Sequence, residues 1–173
     1  LIKHQEGSDP AAVVYDAIYP YVKGGAEKRI YNFSQILSNK HEVHLFGMKF
    51  WNEKDVIKKN NLYFHGVCNS IALYNKKGRR SLIEPFYFSF YLLKELLKYD
   101  FDLIDCQNFP YIPCFVCKLY SILKRKPLII TGHRGAGGLA PENTLASIQL
   151  ALDLGVDRIE IDEAVLSGEI IEE

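Results

Sequence analysis

The sequence predicts an α/β protein, with a doubly wound, Rossmann-like, mostly parallel sheet of about six strands that forms three layers with its helices. Two observations lead to this class. Short apolar runs alternate along the chain with longer segments whose apolar residues recur at helical spacing. In addition, residues 127–162 have the order strand, glycine-rich turn, helix, strand, which is the βαβ unit of a parallel sheet. Strands that alternate with helices in this way are typical of parallel sheets covered on both faces.

The elements follow one another regularly. Strands are predicted at 12–15, 42–46, 62–64, 101–106, 128–131 and 158–162, and helices end near Asn39, span about 85–99 and 113–123, and stop at Gly155. The predicted order across the sheet is third, second, first, fourth, fifth and sixth strand, because a right-handed βαβ crossover places its two strands side by side. Residues 158–162 should then form an edge strand beside 128–131, with Ile159 and Ile161 paired with Ile129.

The composition is that of one ordinary globular domain. The chain has 173 residues, of which 48% are hydrophobic and 24% charged. Lysine plus arginine equal aspartate plus glutamate at 21 each, which argues against nucleic acid as a general partner. No apolar run approaches the roughly 20 residues of a membrane span, and residues 1–10 carry no signal-peptide core.

Four cysteines lie in apolar surroundings: Cys68, Cys106, Cys114 and Cys117. We predict buried, reduced thiols of a cytosolic protein. Cys114 and Cys117 have the spacing of a zinc-binding pair, but no second pair or nearby histidine in the sequence completes a zinc site. Three histidines, His41, His44 and His65, are predicted to be ordinary surface or edge residues.

Polar residues cluster at the ends of the last two predicted strands. His133 and Arg134 follow the fifth strand, and Glu160 and Asp162 lie two residues apart at the end of the sixth. Alternate residues of a strand share one face, so the two carboxylates can converge on one point. An imidazole, a guanidinium and paired carboxylates suit a phosphate ester held with Mg²⁺ or Ca²⁺. We predict catalytic roles for His133 and Arg134, metal binding by Glu160 and Asp162, and phosphate binding by Arg134 and Gly135.

The same stretch resembles the glycerophosphodiester phosphodiesterases. The resemblance rests on His133-Arg134-Gly135, on Pro-Glu-Asn-Thr at 141–144 and on Ile-Glu-Ile-Asp at 159–162, and it covers about the last 46 residues. It implies a (β/α)8 barrel, typically of about 250 residues, in which two histidines share acid and base catalysis while a cation bridges substrate oxygens. The family's second histidine has no counterpart here, because no histidine follows Asp162.

Residues 12–131 resemble the amino-terminal half of a family 4 glycosyltransferase with GT-B architecture. The resemblance rests on Tyr-Pro-Tyr at 19–21, on Gly-Gly-Ala-Glu at 24–27, and on the strands at 41–46, 101–105 and 126–131. It implies that the Gly24-Gly25 turn lies near the phosphates of a nucleotide-sugar donor, because glycine lets backbone N–H groups approach an anion. The family's carboxy-terminal half, which holds the nucleotide sugar, has no counterpart in this sequence.

The sequence therefore resembles a chimera of two families. Its predicted parts are a loose leader at 1–11, a glycosyltransferase-like Rossmann part at 12–131, and a phosphodiesterase-like extension of the same sheet at 132–173. Three functions are open. The first is a glycosyltransferase-like acceptor half that is inactive without its donor half. The second is a metal-assisted phosphodiester hydrolase with an incomplete site. The third is a non-catalytic α/β domain that keeps an anion site.

Ligands and partners follow from these motifs. We expect a phosphate-bearing small molecule, with a nucleotide sugar bound only if a donor domain is supplied. The basic run at 76–80 precedes an aromatic run at 86–91, which allows a peripheral contact with the inner membrane surface; the alternative is a solvated loop and aromatic residues that pack a helix onto the sheet. The edge strand at 158–162 is a candidate site for a second copy.

A simpler interpretation of each motif also stays open. The glycine-rich residues 132–138 suit a plain strand-to-helix turn, and Gly24-Gly25 suits a tight turn between a strand and a helix. Glu160 and Asp162 suit a solvated strand end.

Overall fold

A computed structural model of the chain describes residues 9–73, 81, 83–108, 111–137 and 139–161. Within them the strands are β1 (Ala11–Val14), β2 (Val43–Lys49), β3 (Val56–Lys59), β4 (Leu62–Asn69), β5 (Leu103–Gln107), β6 (Leu128–His133) and β7 (Arg158–Glu160). The helices are α1 (Gly25–Leu37), α2 (Glu84–Leu96), α3 (Ile112–Lys124) and α4 (Leu145–Asp153). Most of the predicted leader lies outside the described residues, and Ala11 at its end already belongs to β1.

The strands join in one sheet, in the order β3-β4-β2-β1-β5-β6-β7. All neighbours pair in parallel except β3 and β4, which form an antiparallel hairpin. The predicted order of the six strands is confirmed, and so is the Rossmann-like α/β class. The sheet places the carboxyl ends of β1, β5, β6 and β7 along one edge, where ligands of open α/β sheets bind.

β3 was missed by the sequence prediction. Its four residues, Val-Ile-Lys-Lys, are too few and too charged to stand out as an apolar run, and three of them are exposed. The signal that was available is the pair Asn60-Asn61. Asn60 has φ 56°, a left-handed conformation that asparagine tolerates in a two-residue hairpin turn, and Lys59 pairs with Leu62 across it.

The predicted register of the last strand was wrong. Ile159 pairs with Gly132, not with Ile129, and Glu160 pairs with His133. The strand before it runs on to His133, and Asp157 attaches the start of β7 beside Ile130, through hydrogen bonds of 3.0 Å and 2.8 Å. This register sets the His133 and Glu160 side chains next to each other at the carboxyl edge.

Each face of the sheet carries its own apolar cluster. α2 and α3 cover one face, and the buried members of that cluster are Ala12, Val14, Phe46, Met48, Cys68, Phe88, Leu92, Leu96, Tyr99, Phe101, Ile104, Cys106, Cys117 and Tyr120. α1 covers the other face with Ile30, which packs with Val13, Ile18, Val43, Leu45, Trp51, Leu62 and Phe64. The apolar cluster on that face involves β1, β2 and β4, whereas the side chains that β5, β6 and β7 place there include polar and charged ones.

Two histidines lie in the core, which corrects their predicted surface placement. His44 and His65 are 2% and 1% exposed, and the Nδ1 atom of His44 lies 2.8 Å from Nε2 of His65. The Nε2 atom of His44 lies 2.8 Å from a carboxylate oxygen of Glu42, which is also buried. The imidazole of His44 stacks on the ring of Tyr63, with 4.4 Å between centroids. Polar residues that hydrogen bond to one another can be buried in the core, even where the alternation of apolar and polar residues predicts that they are exposed.

Local sequence signals set the helix ends. α2 and α3 each carry a proline in the first turn, where a missing N–H costs no hydrogen bond. Thr144 caps α4, because its Oγ1 atom accepts a hydrogen bond of 3.1 Å from the Ser147 N–H. Arg125, with φ 55°, ends α3, and Gly155, with φ 76°, follows α4. No helix within the described residues has the length and apolar character needed to span a membrane.

Candidate functional site

Four polar side chains meet at the carboxyl edge of the sheet. Gln107 ends β5, His133 ends β6 and Glu160 ends β7, while Arg29 reaches them from the second turn of α1. We call these four residues the edge cluster. They belong together because parallel strands end at the same edge, and because α1, the next element after β1 in the chain, starts at that edge.

Glu160 is the centre of the edge cluster. Its Oε2 atom lies 2.9 Å from Nδ1 of His133 and accepts a hydrogen bond of 2.8 Å from the Arg29 guanidinium. The Nε atom of Arg29 lies 2.7 Å from the other carboxylate oxygen, an ionic contact in which the N–H is not aligned for a hydrogen bond. Arg29 also donates a hydrogen bond of 3.0 Å to the Gln107 side chain. One carboxylate therefore holds both an imidazole and a guanidinium.

Burial and charge compete at Glu160. Its side chain is 14% exposed, and burial alone would raise the pKa of the carboxyl group. The hydrogen bond from His133 and the positive charge of Arg29 outweigh burial, so the pKa of Glu160 lies below its ordinary value. Glu160 is thus an anion that fixes its neighbours in place.

A second ion pair lies farther down the same face. The Arg158 guanidinium donates a hydrogen bond of 2.8 Å to Asp105, which also accepts from the Thr131 hydroxyl at 3.3 Å. Asp105 and Thr131 are buried, and burial raises the pKa of Asp105 even though Arg158 opposes the rise. Arg158 also lies 5.6 Å above the ring of Phe33 on α1. This layer holds β5, β6 and β7 in register under the edge cluster.

The predicted phosphate-binding turn begins α1. Gly24 is the N-cap residue, and a Cβ atom there would lie 2.1 Å from the Glu27 carboxylate, which folds back over the start of the helix. Gly25 has open space around it, since a Cβ atom there would meet nothing within 4 Å. An open groove runs along α1 from this point and is lined by Gly25, Lys28, Arg29, Asn32, Phe33 and Ile36. The turn is accessible, although an acidic side chain already lies at the helix amino terminus.

The structure separates two residues that the sequence prediction grouped. Arg134 has φ 53° and points to the Glu142 carboxylate, with which it forms an ion pair, whereas His133 points to Glu160. Gly135 has φ 84°, and a Cβ atom there would lie 2.5 Å from the Ser147 hydroxyl oxygen. The loop after β6 is therefore packed tightly against α4, which explains its glycine in structural terms.

The structure describes only one of the two predicted metal ligands. Glu160 is bound by Arg29 and His133, and Asp162 lies outside the described residues. Among the residues that are described, no three His, Cys, Asp or Glu side chains are grouped so as to hold a metal ion. The cation site at Glu160 and Asp162 remains a prediction.

Sequence reasoning missed Arg29, Gln107 and Asn108. Arg29 comes four residues after Gly25, one turn along the helix and on the same side, so the helical period could have placed it by the turn. Gln107 and Asn108 directly end a strand, the position where parallel sheets collect functional side chains. Asn108 accepts a hydrogen bond of 3.0 Å from the His133 N–H and so positions the histidine backbone.

Thiol groups lie directly behind the edge cluster. The Sγ atoms of Cys106 and Cys114 are 3.5 Å apart and lie 3.4 Å and 3.2 Å from the backbone oxygen of Gln107, so one thiol can donate to the other while the second donates to Gln107. Cys68, Cys106 and Cys117 are buried, Cys114 is half-buried, and all four are free thiols. This confirms the predicted burial of Cys68, Cys106 and Cys117, whereas Cys114 is partly accessible.

Comparison with known proteins points to one family over most of the chain. Glycosyltransferase Family 4 matches residues 23–152, which include α1, all of β2 to β6 and most of α4. The structure is similar to the sucrose-phosphate synthase of Thermosynechococcus elongatus, with a TM-score of 0.57 and 14% identity over 94% of this chain and 45% of that one. This likeness shows the fold, that of a Rossmann-like GT-B domain.

A short stretch matches a different protein. Over 35 residues the chain is 51% identical to YhdW of Bacillus subtilis (strain 168), which is named as a candidate glycerophosphodiester phosphodiesterase. That stretch is 20% of this chain and 14% of YhdW. The chain thus spans less than half the length of either protein, and the second resemblance is confined to a small part of it.

Proposed function

Because this chain belongs to glycosyltransferase family 4, we propose that it forms the amino-terminal, acceptor-side half of a GT-B glycosyltransferase and that its edge cluster faces the cleft where a sugar is transferred. The observation that carries the proposal is the convergence of Arg29 and His133, within the family match, on the carboxyl edge of the sheet. That edge is where open α/β sheets bind their ligands.

The edge cluster supports two tasks. A carboxylate accepts hydrogen bonds, so the proton on the His133 ring lies on Nδ1 and points at Glu160. In the neutral ring the Nε2 atom then keeps its lone pair, which can accept a proton or a hydrogen bond from an acceptor hydroxyl. Arg29 supplies a guanidinium, which suits an anionic group of the donor or acceptor.

Donor phosphates are assigned to the Gly24-Gly25 turn, where backbone N–H groups at a helix amino terminus favour an anion. Arg134 and Gly135, the other predicted phosphate ligands, are held against Glu142 and Ser147 and are farther from this role. A nucleotide sugar makes most of its contacts with a second Rossmann half in this kind of enzyme. We therefore expect the described domain to bind the nucleotide sugar weakly and to transfer no sugar by itself.

Calorimetric titration with a nucleoside diphosphate sugar tests this proposal. Binding should be weaker than micromolar, and Arg29→Ala should weaken it further. Arg125 is an exposed arginine at the end of α3, and the control variant Arg125→Ala should leave binding unchanged. Adding a separately expressed donor-binding half should raise affinity and restore transfer, and His133→Ala should then lower the transfer rate by about 10²–10⁴-fold. Submicromolar binding by the chain alone would contradict the proposal.

The short match to YhdW favours a second candidate, metal-assisted hydrolysis of a glycerophosphodiester. In it His133 would handle the proton, Arg134 would neutralise the phosphate, and Glu160 and Asp162 would hold Mg²⁺ or Ca²⁺. Glu160 would first have to exchange its ion pair with Arg29 for the cation. Robust hydrolysis of glycerophosphocholine with Mg²⁺ or Ca²⁺ present, lost in His133→Ala, would establish this function; absence of turnover with retained sulfate binding would leave a non-catalytic anion site.

A further inference from the structure

The outer face of the α2 and α3 layer is apolar. Along α2 and its caps the side chains of Ile83, Phe86 and Phe90 point outward, and Phe86 and Phe90 are 64% and 59% exposed. Along α3, Phe115 and Ile122 do the same and are 72% and 64% exposed. The remaining large apolar side chains that are exposed on these two helices and their caps are Tyr91, Leu97, Leu119 and Leu123. We call this set the outer face.

The outer face is not a frayed part of the core. Phe88, Leu92 and Leu96, which lie on the opposite side of α2 at helical spacing, are completely buried against the sheet. Cys117 and Tyr120 have the same role on α3. The prediction that the aromatic run packs α2 onto the sheet is therefore correct for Phe88 and for Tyr87, which packs against the core cluster, and wrong for Phe86 and Phe90. Several large apolar side chains exposed on one pair of helices in this way indicate a surface that contacts a partner or a membrane.

The charges beside the outer face are positive. The Lys94 ammonium lies 4.2 Å from the centroid of the Phe90 ring, and α3 carries the exposed Lys118 and no acidic residue. In α2 the two acidic residues are not available: Glu84 is buried, and Glu95 forms an ion pair with Lys98. Large apolar side chains with lysines around them are the pattern of helices that lie in a membrane interface.

We propose that the outer face docks on the surface of a membrane that contains anionic lipids. The aromatic and aliphatic tips would enter the headgroup region while the exposed Lys94 and Lys118 contact lipid phosphates. A second copy of the chain fits the face less well, because a symmetric contact would bring lysines against lysines. Each helix has 13 residues and is about 20 Å long, so two helices side by side present a broad surface. The proposal does not depend on which reaction the edge cluster supports.

Co-sedimentation with vesicles tests the docking surface. The whole chain should bind vesicles of phosphatidylcholine mixed with phosphatidylglycerol, and bind pure phosphatidylcholine vesicles much less. Lys94→Gln with Lys118→Gln should weaken binding by about fivefold for each lysine removed. Phe86→Ser with Phe90→Ser should abolish it. The control is Ile36→Ser with Val56→Ser, which removes two exposed apolar side chains from α1 and β3 and should leave binding unchanged.

Circular dichroism and thermal unfolding must show that each variant is folded. If the phenylalanine pair does not fold, the lysine pair still decides the test, because it replaces solvent-accessible charges only. Equal binding to both kinds of vesicle, or equal loss in the control pair, would overturn the proposal. The proposal would also be overturned if light scattering showed that the parent chain is a dimer and that the phenylalanine variant is a monomer. The outer face would then be an interface between copies.

Discussion

Arg29 of α1 and Glu160 of β7 are 131 positions apart in the chain, yet Nε of Arg29 lies 2.7 Å from the Glu160 carboxylate. The contact links the helix that carries the Gly24-Gly25 turn to the last strand of the sheet. It also orients the Glu160 carboxylate, which in turn contacts the ring of His133. The two stretches with different family resemblances therefore contribute to one cluster.

Removing the guanidinium should destabilise the chain. In Arg29→Ala the partly buried Glu160 loses its main cationic partner, and we expect the free energy of unfolding to fall by about 1–3 kcal/mol. Urea denaturation measures it. Glu160→Gln combined with Arg29→Ala should cost clearly less than the sum of the single changes, since both remove the same contact. Strict additivity would show that the pair is not coupled.

The buried His65 should make stability depend on pH. Burial, with the neighbouring His44 and Lys98, lowers the pKa of His65 from 6.5 to about 3. Below pH 6.5 His65 is protonated in the unfolded chain but stays neutral in the folded chain. The free energy of unfolding therefore decreases as the pH falls, by about 2 kcal/mol at pH 5. Unfolding in urea at pH 7 and pH 5 should show this loss in the parent chain.

Two variants isolate the contribution of His65. His65→Gln keeps an N–H donor for His44 but does not titrate, so its stability should change less between pH 7 and pH 5. His41→Gln, at a side chain that is 39% exposed, should retain the pH dependence of the parent. An unchanged slope in His65→Gln would assign the loss to other groups.

The thiols of Cys106 and Cys114 should form a disulfide under oxidation. Their sulfur atoms are 3.5 Å apart, and diamide takes up the two electrons and two protons that the thiols lose. The hydrogen bond between the two thiols and burial raise the pKa of Cys114, and burial is also among the causes that raise the pKa of Cys106. Because the thiolate is the reactive form, the reaction should be slow at pH 7 and faster at pH 9. Peptide mass spectrometry should find the cross-link in the parent and in Cys68→Ser but not in Cys114→Ser; an unchanged thiol count after diamide at pH 9 would contradict this expectation.

Two glycines in the predicted phosphate loops should respond differently to alanine. Gly135 has φ 84° and packs against Ser147, so Gly135→Ala combines backbone strain with a clash and should cost more than about 1 kcal/mol of stability. Gly25 has open space around it, so Gly25→Ala should be tolerated in thermal unfolding. Equal losses would mean that the loop after β6 is less constrained than its contacts indicate.

The strand order could be predicted because it depends on short apolar runs and on the handedness of crossovers, both of which are local. The place of His133 and Glu160 at neighbouring strand ends followed from the same rule. Arg29 could not be found in this way, because its role depends on how α1 is rotated about its axis and on a strand far along the chain. The burial of His44 and His65 was missed because each satisfies the other, and a pattern of single residues does not show such pairing.

The β3 hairpin forms one edge of the sheet. Lys58 and Lys59 project from this outermost strand and are exposed, with their ammonium groups 4.7 Å and 5.4 Å from the ring centroids of Tyr63 and Phe64. A row of lysines discourages another strand from adding there. If copies of the chain associate through sheet edges, the described strands leave only β7 for it. Subunits with one adhesive edge stop at a pair, whereas subunits with two can polymerise into fibres. In that case the β3 edge would limit the assembly to a pair.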